Sequence, residues 1–317
     1  MSTTQFPDYP TIKQLGGTVV DLLRYANEKD VNWGATNPSI GHNGKTLYAA
    51  TIRSSNYHIT PAGSYVLNVG ETYLSRVYFS EFDRDWKLKN LRRIDFDGLD
   101  VSFGRGVEDA KLFYRDGWYF TGVVLDKEHT PAARMAIFKL DPKKSKVTSY
   151  EKIPGRDAKV PEKNWMIAPS AMADFDWVYG PNQVLLGHTI QTWTTDNMEV
   201  HSLRGSSNLV DFDEDTYLGV MHRTYYHGSS PYMGNTFATV QAQVRDYVHH
   251  FVRFDRQGYI KAITPGFRFH QPGVEFAAGL AFKGNQAIIS FGRGDVSSHL
   301  AFIDTDIIRK SLKPVEY

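Results

Sequence analysis

Ten strand-length runs, apolar or alternating and closed by turn residues, constrain this chain more than any other feature of its sequence. They are TLYAATIR, SYVLNV, LSRVYFSEF, KLFYRDGWYFTGVVL, RMAIFKL, QVLLGHTI, TYLGVMHRTYY, YVHHFVRFD, AIISFGRG and HLAFIDT. Turn signals such as Arg115-Asp116-Gly117, Asp255-Arg256-Gln257-Gly258 and Lys283-Gly284-Asn285 separate several of them. No helical pattern is interleaved, which argues against an α/β sheet and leaves a sandwich, a barrel or a propeller.

Spacing chooses among these. Five segments share a polar or Gly/Pro-flanked opening that leads toward an apolar strand: ATNPSI (35–40), GVEDAKLF (106–113), EKNWMIAPS (162–170), GSSNLV (205–210) and GVEFAAGL (273–280). They recur every ~40–70 residues, near or above the length of one four-stranded blade. The expected fold is therefore all-β, a five-bladed β-propeller, with a β-sandwich as the competing architecture. The first strand of each blade lines the central channel, so polar residues at five openings converge on one mouth. At the ends, TIKQLGGTVVDLLRYANEK (11–29) has loose helical spacing and predicts a short N-terminal helix. DTDIIRKSLK predicts a C-terminal helical turn capped by Asp304, Thr305 or Asp306. The expected division is an N-terminal extension over 1–30 and a single propeller domain over 31–317.

Charge and cysteine usage narrow the partners. Thirty-six basic against 35 acidic residues leave a formal net charge of +1, so no whole-molecule field points to nucleic acid or an anionic membrane. Zero cysteines exclude disulfides, thiolate metal sites and a cysteine nucleophile. The start, MSTTQFPDYPTIKQLGG, lacks a basic region followed by an apolar one, and no apolar run approaches the roughly 20 residues that span a bilayer. A soluble, cytoplasmic protein is expected, with oligomeric state left open.

The openings carry the candidate chemistry. The first holds Asn37 where a carboxylate could stand, followed by Arg53 and Asn56. The second sets Glu108 and Asp109 side by side; strand alternation places Asp109 and Lys111 on one face. A carboxylate beside a lysine can exchange a proton with a glycosidic or hydroxyl oxygen, although an Asp/Glu pair can equally satisfy turn amides at a strand edge. The third opening offers Lys163, Asn164 and Trp165, an ammonium, an amide and an aromatic face suited to a sugar or phosphate subsite. The fourth region supplies Arg204, His222, Tyr247 and His249, while alternation puts His250 in the core. The fifth contributes Glu275, with Asp295 following in SFGRGDVSSH.

Several motifs are set aside. Asp211-Phe212-Asp213 spells the D-x-D of metal-dependent transferases but lies between two predicted strands, as a solvated hairpin would. None of the 11 histidines falls in H-E-x-x-H, so no metal site is expected. P-loop, G-x-G-x-x-G and Gly-x-Ser-x-Gly signatures are absent.

NPSI, Arg53-x-x-Asn56-Tyr57, GVEDAKLF, EKNW, Tyr247-x-His249-x-Phe-Val-x-Phe-Asp255 and GVEFAAGLAF with SFGRGD, taken in order, resemble five-bladed propeller enzymes around glycoside hydrolase family 130. They also resemble the glycosyltransferase family 108 mannosyltransferases. The resemblance spans roughly residues 30–305 and implies that Asp109 is the general acid, with inorganic phosphate as nucleophile and no second catalytic carboxylate. It implies a phosphate subsite near Arg53, Lys163, Asn164, Arg204, His222, Tyr247 and His249. Ala110 and Lys111 stand where the family's motif has proline and arginine.

Three functions stay open from sequence. One is glycosyl transfer from a phosphate-bearing donor, with Asp109 as the proton-transfer group, no cofactor, and inorganic phosphate or a nucleotide sugar as co-substrate. The second is inverting glycoside hydrolysis with Asp109 as acid and Glu275 or Glu108 as base. The third is carbohydrate binding without turnover. The acceptor, whether small molecule, polysaccharide, protein or nucleic acid, is not set by any motif.

Overall fold

The computed structural model describes residues 7–26, 30–60, 64–97, 105–125, 133–153, 162–168, 176–180, 183–186, 189–192, 198–227 and 244–316. The five predicted openings are the innermost strands of five antiparallel sheets arranged as propeller blades. Blade one runs outward through Gly34–His42, Tyr48–Ser55, Ser75–Phe82 and Leu88–Arg93, with a small hairpin, Tyr57–Ile59 and Tyr65–Leu67, inserted after its second strand. Blade two is Val107–Tyr114, Trp118–Leu125, Ala133–Asp141 and Lys146–Lys152; blade three is Met166–Ile167, Trp177–Gly180, Gln183–Leu186 and Thr189–Thr192. In blade four, Arg204–Gly205 and Val210–Asp213 both pair with Thr216–His227, followed by Val244–Asp255 and Ile260–Ile263. Blade five is Glu275–Lys283, Gln286–Arg293 and Ser297–Asp304.

Side chains on the inner strands tie the blades together at the axis. Ser39 Oγ donates to the Ala278 carbonyl at 2.8 Å and accepts from Leu112 N at 2.9 Å, linking blades five, one and two. Asn208 Nδ2 donates to the Leu112 carbonyl at 3.1 Å, and Leu209 N donates to Ile167 O at 3.1 Å, bringing in blades four and three. Between blades the packing is apolar. Val77 and Phe79 of blade one meet Val107, Leu112, Phe120 and Phe138 of blade two in one buried cluster, so the outer strands form the rigid wall on which the mouth is built.

Among the described residues 7–26 the predicted N-terminal helix does not form. Thr18–Leu23 is a strand that pairs antiparallel with Ser297–Asp304, from Thr18 opposite Phe302 to Leu23 opposite Ser298, and forms the outermost strand of blade five. The β-branched run Thr18-Val19-Val20 suits an edge strand, and the last blade has only three strands of its own to offer. The first described strand thus lies within the propeller, on the N-terminal side of the expected division at residue 30.

Ahead of it, the chain is pinned by a buried ion pair. Arg268 Nε donates to Asp246 Oδ1 at 3.1 Å and its Nη2 to Oδ2 at 2.5 Å, while Nη2 also reaches the Pro7 carbonyl at 2.9 Å. The C-terminal turn is a helix, Thr305–Ser311, whose N-cap is Asp304, accepting from Asp306 N at 2.8 Å. Among the described residues no helix is long and apolar enough to cross a membrane.

Candidate functional site

The side chains at the mouth are aimed by irregular backbone. Asn37, Asp109, Asn164 and Asp295 have φ of 45°, 49°, 65° and 58°, a left-handed conformation that asparagine and aspartate tolerate better than other side chains. The pairing register slips between Thr36 and Ser39 and between Glu108 and Lys111, so Asn37 and Asp109 sit in bulges. Simple alternation, which put Asp109 and Lys111 on one strand face, does not apply across that bulge. A β-carbon on Gly292 would lie 2.2 Å from Asn37 Oδ1; glycine there lets the Asn37 bulge close in.

One buried guanidinium organises the acids. Arg53, 3% exposed, reaches Asp109 Oδ1 at 3.1 Å, Glu108 Oε1 at 3.2 Å and Ser75 Oγ at 3.0 Å, and it also donates to the Tyr57 hydroxyl. Asn37 Nδ2 donates to the same Asp109 oxygen at 2.8 Å. Burial alone would raise the Asp109 pKa, but Arg53, the Asn37 hydrogen bond and the charges of Lys163 and Lys111 outweigh it and hold the carboxyl below its ordinary value. Asp109 is therefore an ionised carboxylate whose side chain keeps 17% of its surface open.

Asp295 is the counterpart. Burial, together with the nearby charges of Asp109 and Glu108, pushes it up to about 6 against the pull of Arg53 and Lys163. The folded state is thus penalised for ionising Asp295 above pH ~6 and carries no such penalty below the unfolded value near 4. Asp295→Asn, which tolerates the same φ, is expected to stabilise the protein by on the order of 2 kcal/mol at pH 7.5, with the gain vanishing near pH 4. Urea unfolding at the two pH values measures it; a variant no more stable at pH 7.5 than the wild type removes the buried-charge penalty.

The cationic side faces blades three and four. Lys111 lies in the floor, its Nζ donating to the Trp165 carbonyl at 2.8 Å and standing 6.0 Å from the Phe276 ring centre. Burial lowers its pKa to about 7, with Asp109 opposing. His222 stacks on Tyr247 with ring centres 4.7 Å apart and bonds Ser206 Oγ through Nδ1 at 2.7 Å. Burial and the charges of His249, Arg204, Lys111 and Lys163 keep it neutral. Lys163 and Arg204 are exposed at the rim.

Four predicted site residues are placed elsewhere. Asn56 staples its own loop, donating to the Val69 and Thr72 carbonyls and accepting from Leu74 N at 2.7 Å. Trp165 is 1% exposed, packed edge-on to Trp177 and bonded to Glu162, so it is core rather than a stacking platform. The Glu275 carboxylate is taken by the backbone amides of Phe269, His270 and Gln271 at 2.8, 3.0 and 3.4 Å, which anchors that loop, while burial pushes its pKa up to about 7 against those hydrogen bonds. His249 is buried among His222, Phe267 and Phe269, behind the mouth. Sequence reasoning also passed over Tyr57, Ser75 and Arg245. Tyr57 stands in the quoted Arg53-to-Tyr57 motif, whereas nothing local marks Ser75 or Arg245, whose guanidinium reaches Tyr65 OH at 3.3 Å. The D-x-D stretch is the expected hairpin, with Asp213 accepting from Thr216 Oγ1 at 3.2 Å and paired to Arg309 at 2.6 Å.

A cavity of about 300 Å³ is at the far ends of the same inner strands, lined by Gly41, Tyr114, Asn208 and Phe282 among others. None of Arg53, Glu108, Asp109, Lys111, Lys163, Arg204 and Asp295 lines it, and the buried acid and base constellation marks the site better than volume does.

No protein-family description matches the chain, and no curated protein does. Solved structures share its fold. A β-1,2-mannobiose phosphorylase from Listeria innocua superposes with a TM-score of 0.57 at 13% identity, covering 88% of this chain and 91% of the other. A mannose phosphorylase from Leishmania mexicana, in complex with phosphate ion, gives 0.54 at 13% identity over 95% and 93%. A GDP-Man-dependent mannosyltransferase from Leishmania mexicana gives 0.52 at 12% identity over 90% and 89%.

Proposed function

We propose that this propeller is a carbohydrate-active enzyme that transfers a glycosyl unit from a phosphate-bearing donor. The reading is supported most by the Asp109 carboxylate, kept ionised by Arg53 and Asn37 at the mouth of the axis with Lys163 and Lys111 near it and Arg204 near His222. The fold shared with mannoside phosphorylases and a mannosyltransferase is consistent with it. In the step proposed, the acceptor hydroxyl oxygen attacks the anomeric carbon as the bond from that carbon to the phosphate oxygen breaks. Asp109 takes the hydroxyl proton and the phosphate leaves with the bonding electrons, held by the cations. Phosphorolysis is the same step in reverse, with the protonated carboxyl returning its proton to the departing sugar oxygen.

A second reading rests on Asp295. Burial pushes the Asp295 carboxyl up to about 6 while Arg53 and Asn37 hold Asp109 low, and two carboxyls set apart in this way can divide the acid and base roles of inverting hydrolysis. The two readings diverge on the donor. With GDP-mannose, mannose 1-phosphate or inorganic phosphate at millimolar concentration, transfer requires a rise in melting temperature that Lys163→Met reduces, because a ligand binding only the folded state stabilises it. No shift with any of the three in the wild type rejects the phosphate-bearing donor and favours hydrolysis, read as reducing sugar released without phosphate.

A further inference from the structure

On the outer side of blade five, three side chains from distant parts of the chain meet. Asp21 is on the N-terminal strand, His270 in the turn before the blade and His299 on its third strand, and one ligand atom of each lies within 4.8 Å of the others. His299 is 7% exposed, with Nδ1 at 2.8 Å from Asp21 Oδ1 and Nε2 at 2.8 Å from Ser297 Oγ. A serine hydroxyl can donate or accept. Ser297 Oγ can therefore accept a hydrogen bond from Nε2–H, the outer hydrogen bond that orients metal-binding histidines, which leaves the Nδ1 lone pair free for a metal shared with the Asp21 carboxylate. His270 Nε2 is buried with no hydrogen-bond partner among the described residues, a costly state that a ligand would relieve.

We propose that Asp21, His270 and His299 form a site for a borderline divalent metal, zinc being the natural occupant, which fastens the N-terminal strand to the last blade. Two imidazoles and one carboxylate suit Zn²⁺, Co²⁺ or Ni²⁺ and not the all-oxygen shells of Ca²⁺ or Mg²⁺. The positive charges of Arg293 and Lys13 close by weigh further against a cation held by electrostatics alone. The Asp21 side chain is 87% exposed, so water can complete four-coordination from outside. Asp21 belongs to the strand that closes the ring, so metal binding stabilises the closure.

The full chain, stripped with a chelator, is titrated with Co²⁺ and Zn²⁺. The expected result is a visible cobalt absorption saturating at one equivalent, and a rise of several degrees in melting temperature with Zn²⁺, both lost in Asp21→Ala and in His270→Gln. The exposed Asp21 position carries no folding risk, so the test does not depend on His270→Gln folding. Absence of both signals in the wild type overturns the site, as does their persistence in Asp21→Ala, which would place the metal on other histidines.

Discussion

Asp109→Asn is expected to lower turnover by ~10²–10⁴-fold, the contribution of a positioned proton-transfer group, while the fold is retained. Asparagine keeps the shape, tolerates the φ of 49° and can still accept from Asn37 Nδ2 and Arg53 through its amide oxygen. What it loses is the ability to take a proton. Arg53 keeps Glu108 as a charged partner, so the guanidinium is not stranded. Asp109→Ala would be a poorer test, since alanine fits the left-handed backbone badly and leaves both donors without an acceptor. Because the Asp109 pKa is depressed, its charged form and the stability it confers are present above the unfolded value near 3.9 and fade only as pH falls through the lower folded value. Initial rates with a sugar nucleotide or sugar phosphate donor, alongside thermal melting, measure the effect. Wild-type rates from a folded Asp109→Asn protein would remove this carboxylate from the chemistry.

Arg268→Met should cost about 3–5 kcal/mol of folding free energy, the largest stability effect anticipated for a single side chain here. Arg268 and Asp246 are 3% and 0% exposed, and the carboxylate also accepts from Gly273 N at 3.0 Å. Removing the guanidinium leaves a buried charge with one amide for company. It also frees the Pro7 and Tyr9 carbonyls, which Arg268 holds at 2.9 and 3.4 Å. At about 2–4 °C per kcal/mol for large domains, the melting temperature falls by roughly 10 °C. Replacing both partners, Arg268→Met with Asp246→Leu, should recover much of the loss, because no unpaired charge remains. Urea unfolding of the single and double variants separates desolvation from packing; a single variant within 1 kcal/mol of wild type would show the pair to be dispensable.

The two experiments probe different layers, and the sequence spoke unequally to them. Five polar openings ahead of apolar runs were legible as five inner strands, because alternation and turn residues are local properties. The hairpin at Asp213 and the cap at Asp304 were legible for the same reason. Grouping Asn37, Glu108 and Asp109 needed only that inner strands begin at one mouth, and Arg53 joins them because the antiparallel second strand of blade one ends there. Glu275 opens its strand much as Glu108 does, yet the turn at 269–271 supplies amides that claim its carboxylate. Trp165 stands beside a rim lysine, yet it faces the core.

By itself the sequence determined the all-β class and which segments open apolar strands, since both follow from the order of apolar and turn residues within about a dozen positions, and the spacing of five openings favoured a propeller over a sandwich. Only the tertiary structure decided that Thr18–Leu23 closes blade five, that Asp109 is ionised while Asp295 titrates at about 6, and that Asp21, His270 and His299 meet. A side chain's charge and direction depend on bulges and on groups brought from other blades, and those contacts exist only once the ring is closed.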